Sequence, residues 1–308
     1  MPHTSHQKKS NHRKRKEVVD EEGWTRITSS SATCRGANHP SIADQSNEDK
    51  AVFRWNIRDR TVTKFYRAAP RPMNPAQGST LESMRAQYRK IEAKWRESDL
   101  CHSLQKVLTT RILNTHSQIS TCVVIGSGSF CGDDVHWIDR HESAYYQMAA
   151  FQTAVETIEQ VQGHGPHCYA QEPCYNDLDT ELLRSLNTTK VDHPAGFELL
   201  QDRTQTSAFV YSPFAEPQVE LQIMFHNPRI WLHRSLDHMH REDRIAGDEE
   251  FTKDEAEVNL EMTDLFKRNH ECAELPGLNV KNQPFHQSVI WWRKEDEIEQ
   301  ETAEPGAS

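Results

Sequence analysis

The chain has 308 residues, a 35% hydrophobic share and a net charge of −10, with a mean hydropathy of −0.82, which fits one core domain between polar, disordered flanks. No run approaches the roughly 20 apolar residues of a membrane span, and no N-terminal apolar stretch resembles a signal peptide, so a soluble protein is expected. The seven cysteines are odd in number and form no C-x-x-C pair, which argues against a disulfide framework and a zinc ribbon and for a reducing, intracellular location.

Residues 1–75 read as a mostly disordered basic and polar leader. Lys8, Lys9, Arg13, Lys14, Arg15 and Lys16 form a basic head without an acid. Such a cluster suits a solubilising arm, a nuclear-import signal or a nucleic-acid contact. The core lacks a basic surface of its own, so nucleic-acid binding by the core is not expected. Two aromatic islands, "GWTRIT" (Gly23 to Thr28) and "VTKFYR" (Val62 to Arg67), interrupt the leader.

Residues 76–240 carry the core domain. A helix is predicted over "STLESMRAQYRKIEAKW", with Ser79 and Glu82 as a capping box and Leu81, Met84, Tyr88, Ile91 and Trp95 on one face. A second helix follows from Asp99, with Leu100, Leu104, Val107 and Leu108 inward. Strands are then expected at Cys122 to Ile125, His167 to Gln171, weakly at "TKVDH", at Ser207 to Ser212 and at Arg229 to His233. Between them lie helices from about Ser143, at "NDLDTELLRSLN" with Asn176 as N-cap and Asn187 as left-handed C-cap, and around Val219 to Phe225 behind Pro217. Repeated βα units predict a Rossmann-like α/β fold, a mainly parallel sheet with helices on both faces. Residues 241–294 read as a C-terminal extension with a helix and "HQSVIWWRK" as one last strand, with an edge of the sheet as its candidate place, or as a docking segment, and residues 295–308 as an acidic disordered tail.

Twelve glycines make about 0.5 G-x-G triplets expected by chance, and the chain has two. Gly163-His-Gly165 follows a helix and ends it. Gly126-Ser-Gly128 follows a strand, where backbone N–H groups can face an anion. Gly126, Ser127, Gly128 and Ser129 are therefore candidate ligand-binding residues, with Glu172 at the end of the next strand and Ser212 at the end of the fourth. The G-x-G-x-x-G spacing fails by one, because Cys131 stands where the third glycine belongs and Gly132 follows. Two readings stand: a ligand cradle or a structural turn, and for Glu172 a ribose acid or a solvated acid before Pro173. His233, His238 and His240 with Asp237 and Glu242 read as surface residues, and Cys168 and Cys174 as small buried hydrophobes. No G-x-S-x-G elbow, Walker sequence or H-E-x-x-H is present, so no catalytic constellation and no metal set emerges, and the sequence names no cofactor.

The pieces "VVIGSGSF", "QMAAFQTAVETI", "CYAQEPCYNDLDTELLRSL", "SAFVYSPFAEPQVELQI" and "RIWLH" together resemble the sensitivity-to-red-light-reduced (SRR-like) domain, in a form typical of filamentous fungi. The resemblance covers about Gln118 to Ser235. The family's Asp-Pro appears as Glu172-Pro173 with Tyr175 two residues on, and Gln147 matches the glutamine that opens its first long helix. Many members carry His-Cys after the fourth strand where this chain has Pro213-Phe214, and Gly-Asn-Ser on the fifth where it has His233-Arg234-Ser235. The resemblance implies a regulatory protein of cytoplasm and nucleus, linked to light and clock signalling or to tetrapyrrole synthesis, with protein partners and no agreed reaction. A nucleotide- or S-adenosylmethionine-dependent enzyme and a scaffold that binds no ligand are the rival expectations.

Overall fold

The computed structural model describes residues 72–113, 118–133, 141–200, 207–213, 215–240 and 253–294, together with four short strands nearer the N-terminus. Those strands form two antiparallel pairs, β1 (Lys16–Val19) with β2 (Thr25–Thr28) and β3 (Arg54–Asn56) with β4 (Thr61–Thr63). The first pair belongs to a separate unit, residues 1–46. Each aromatic island thus overlaps a strand, while the basic head up to Arg15 and the tail 295–308 lie outside the described residues.

The second unit is built on seven strands in the order β10-β11-β9-β8-β5-β6-β7. Five are parallel: β5 (Ile119–Ile125), β6 (His167–Gln171), β7 (Thr189–Lys190), β8 (Ser207–Tyr211) and β9 (Ile230–Arg234). Antiparallel β11 (Ser288–Arg293) and β10 (His270–Glu274) complete one side. The mainly parallel α/β fold expected from the sequence is the fold observed. "SVIWWR" is not an edge, however, because β10 pairs outside it; a strand reading His-Glu-Cys-Ala-Glu lacks the apolar alternation that announces strands.

Side-chain period two sorts the sheet's residues between two cores. Cys122, Val124, Phe209, Tyr211, Ile230, Leu232, Ile290 and Trp292 face one way. Val123, Ile125, Val210, Trp231, Val289 and Trp291 face the other. The first face is covered by α1 (Leu81–Arg96), α2 (Asp99–Val107) with the π-turn Leu108–Ile112, α3 (His141–Gln162) and α4 (Asp177–Ser185). The second is covered by α5 (Ala195–Glu198), α6 (Pro217–His226), the 3-10 turn Leu236–His240 and α7 (Lys253–Asn269).

Helix α1 begins one residue later than its sequence suggests. Thr80 is the N-cap and Ser83 its reciprocal partner, in place of Ser79 and Glu82, since a serine at N3 returns the same bond with a shorter arm. The expected face of Met84, Tyr88, Ile91 and Trp95 is buried. Trp95 is fully buried, donates its Nε1–H to Thr153 Oγ1 of α3 at 2.8 Å, and lies 5.1 Å from the Phe285 ring. One side chain thereby fastens α1 to α3 and to the segment leading into β11.

Truncating Trp95 to alanine removes that anchor and leaves a cavity, so Trp95→Ala is expected to lower stability by about 3–5 kcal/mol, read as a reduced urea midpoint with unchanged slope.

Candidate functional site

In chain order the parallel strands run outward from β5 in both directions, to β6 and β7 on one side and to β8 and β9 on the other. The order therefore reverses between β5 and β8, the switch point where open α/β sheets leave a crevice beyond the carboxyl ends of their strands. The glycine loop leaves β5 at this place, and Ser212 follows β8. Glu172 follows β6.

Gly126 and Gly128 have φ of +79° and +77°, the left-handed region that L side chains avoid. These two turns fold the loop back over α4. Gly126 donates its N–H to Gln171 O at 3.0 Å, and the position a Cβ would take there meets nothing within 4 Å.

The loop's other donors are directed at two buried carboxylates. Gly128 N–H reaches Glu172 Oε2 at 3.1 Å, while Glu172 Oε1 accepts from Cys174 N at 3.0 Å. Asp179, wholly inaccessible, accepts from Phe130 N at 2.9 Å, Ser129 Oγ at 2.6 Å and Asn176 N at 3.0 Å. Ser127 Oγ meets the Tyr175 hydroxyl, and Phe130 stacks on the Tyr175 ring at 5.8 Å. Burial raises the pKa of both acids, and the hydrogen bonds from the loop and from Cys174 and Asn176 work against that rise. Geometrically, the two acids occupy the place that an anionic ligand takes in a phosphate-binding loop.

An extended strap crosses the loop from outside. Met73 N bonds to Cys174 O, Ala76 N to Cys131 O and Asp133 N to Asn74 O, at 3.0, 2.7 and 2.9 Å. A Cβ on Gly132 would fall 2.4 Å from Met73 Sδ and 3.0 Å from Met73 Cβ, so any side chain there would displace the Met73 side chain. The sequence reading left residues 73 to 75 in the leader, since "PMNPA" has no periodicity to give it away.

Gly126, Ser127, Gly128, Ser129 and Glu172 are thus brought together, and Glu172 is buried rather than solvated. Ser212 enters a different network on the opposite face. Its Oγ accepts from Trp231 Nε1 at 2.8 Å and lies 3.1 Å from His233 Nδ1. His233 Nε2 meets Glu220 Oε1 at 2.8 Å, Arg234 reaches the same oxygen at 2.7 Å, and His238 Nε2 meets Glu220 Oε2 at 2.8 Å. His233 is almost fully buried and lies stacked on Trp231, so the surface assignment fails for it; the buried acid on α6 draws it inward. Burial alone would raise the Glu220 pKa, but hydrogen bonds from His233 and His238 and the Arg234 charge hold it well below the ordinary value of 4.5.

Two buried hydroxyls have no hydrogen-bond partner among the described residues: Tyr211 at the end of β8 and Ser143 in the first turn of α3. Sequence reasoning had no means of finding them, nor the bonds of Asp179 to Ser129 and Phe130, 50 and 49 residues upstream.

The SRR1 domain family model matches residues 100–295. No curated protein matches the chain. Among solved structures, a putative O-methyltransferase from Klebsiella pneumoniae is similar at 8% identity and a TM-score of 0.33, over 70% of this chain and 90% of that one.

Asp179→Ala leaves Phe130 N–H, Ser129 Oγ and Asn176 N–H without their acceptor and is expected to cost about 3 kcal/mol in urea unfolding. For Glu220, the stability conferred by its depressed pKa is full above 4.5 and is lost as pH falls toward the lower folded value. Glu220→Gln should lower stability at pH 7 by about 3–5 kcal/mol and flatten this acid slope, measured by denaturation at a series of pH values.

Proposed function

Because this chain belongs to the SRR1 domain family, we propose that it is a regulatory protein of cytoplasm and nucleus, acting in signalling or in control of tetrapyrrole synthesis, that binds a small ligand at the switch point between β5 and β8. The observation that carries the ligand is the Tyr211 hydroxyl. It is buried at the carboxyl end of β8, burial drives its pKa well above the ordinary tyrosine value, and it has no partner among the described residues. Leaving such a group unsatisfied costs about 1–3 kcal/mol, an expense that a bound polar group removes.

Gly126 supports the same placement, since the space beside its Cα is open and lets a ligand approach the backbone. The loop's role in this reading differs from that of a phosphate cradle. With Gly128, Ser129 and Phe130 already bonded to Glu172 and Asp179, the loop is a preformed wall, and the ligand's polar group is met by Tyr211 rather than by the loop's N–H groups. Protein partners would read the ligand state through the surface around the crevice.

Thermal unfolding of the full chain with S-adenosylmethionine, haem and nucleotides as probes tests this. A bound probe at about a hundred times its dissociation constant adds about 2.7 kcal/mol of stability. Tyr211→Phe should leave the unliganded protein as stable or more so and weaken binding about tenfold, equal to about 1.4 kcal/mol. No stabilisation of the wild type by any probe, with Tyr211→Phe less stable than wild type, would favour a scaffold that binds no ligand.

A further inference from the structure

Cys122 and Cys168 occupy directly paired positions on the parallel strands β5 and β6. Both side chains lie on the same face of the sheet, in the core under α3. Neighbouring strands stand about 4.7–4.9 Å apart, inside the 4.4–6.8 Å range of Cα separations that a disulfide spans. Of the remaining described cysteines, none faces another cysteine across a strand pair: Cys272 is opposite Trp291, and Cys101, Cys131 and Cys174 lie outside the strands.

The two thiols differ in access. Cys122 is fully inaccessible, whereas Cys168, near the start of β6, is only partly buried. The Cys168 thiol donates to Pro166 O at 3.6 Å. Cys122 itself is pushed well above the ordinary thiol value by burial. Access therefore singles out Cys168 as the thiol an oxidant meets, with Cys122 at the directly paired position behind it.

We propose that Cys122 and Cys168 form a reversible, peroxide-sensitive disulfide that staples β6 to β5. The Cys168 thiolate attacks a peroxide oxygen; the O–O bond breaks, an S–O bond forms, and hydroxide leaves, giving the sulfenic acid. Cys122 sulfur then attacks the Cys168 sulfur, the S–S bond forms, the S–O bond breaks, and the Cys122 proton leaves with the departing oxygen as water. Two thiols and one hydrogen peroxide give one disulfide and two waters, the sulfurs being oxidised and the peroxide reduced. A dithiol reverses the step by exchange. Since β5 and β6 end in the glycine loop and in Glu172, the staple acts on the strands that carry the candidate site.

The test uses the full chain treated with hydrogen peroxide, alkylated under denaturing conditions, digested and weighed. The expected product is one peptide pair joined through Cys122 and Cys168, lighter by two hydrogens and released by dithiothreitol. In Cys122→Ala the sulfenic acid on Cys168 should persist and be trapped by dimedone, with little trapping in the wild type. The wild-type arm stands even if the variant fails to fold. Cys168 recovered as sulfinic acid with Cys122 alkylated, or Cys168 recovered unmodified while other cysteines react, would overturn the proposal.

Discussion

Two carboxylates, Glu172 and Asp179, decide the shape of the glycine loop at the carboxyl end of β5. Each takes backbone or side-chain donors from the glycine loop and from the segment that begins α4. Neither is balanced by a cation within these bonds, so they keep their places only because several N–H and O–H groups converge on each. The left-handed turns at Gly126 and Gly128 aim those donors inward. The strap over Gly132 then fits against a loop already fixed from within. Without the acids, the N–H groups of Gly128 and Phe130 lose their acceptors.

This arrangement gives the glycine loop of this chain acceptors from within the protein. A strand-end loop of this kind ordinarily directs its N–H groups toward a ligand's phosphate; here the protein supplies the anions itself. What is left open is the space beside the Gly126 Cα, where a Cβ would meet nothing within 4 Å. On the other face, His233 and Arg234 stand at the positions where the resemblance leads one to expect Gly-Asn, and both bind Glu220. Those departures from the family pattern are therefore joined in one buried network rather than scattered. The matched segment begins at residue 100, yet α1 before it is part of the same core through Trp95 and Thr153.

Most of the fold was legible because its elements declare themselves locally. Met84, Tyr88, Ile91 and Trp95 mark one helical face, Asn176 and Asn187 bracket α4, and "CVVI" and "SAFVY" are β-rich runs in βα alternation. The loop's position after β5 was legible for the same reason. Its partners were not. Asp179 sits in the first turn of a helix, where an acid is expected for capping alone, and its bonds to Ser129 and Phe130 are long-range. The strap at Met73 to Ala76, the outermost strand β10 and the burial of His233 share that character, each being set by tertiary contacts without a periodic signature. Ser212, chosen for lying at a strand end, shows the limit of that rule, because alternation along β8 sends it to the face opposite Tyr211.

The claim that the loop is held by the protein's own acids is tested most directly by amide hydrogen exchange in the ligand-free protein. Gly128 and Phe130 should exchange as slowly as the amides of β5, and Phe130 should lose that protection in Asp179→Ala. Exchange of both amides at the rate of an open loop in the wild type would contradict the account.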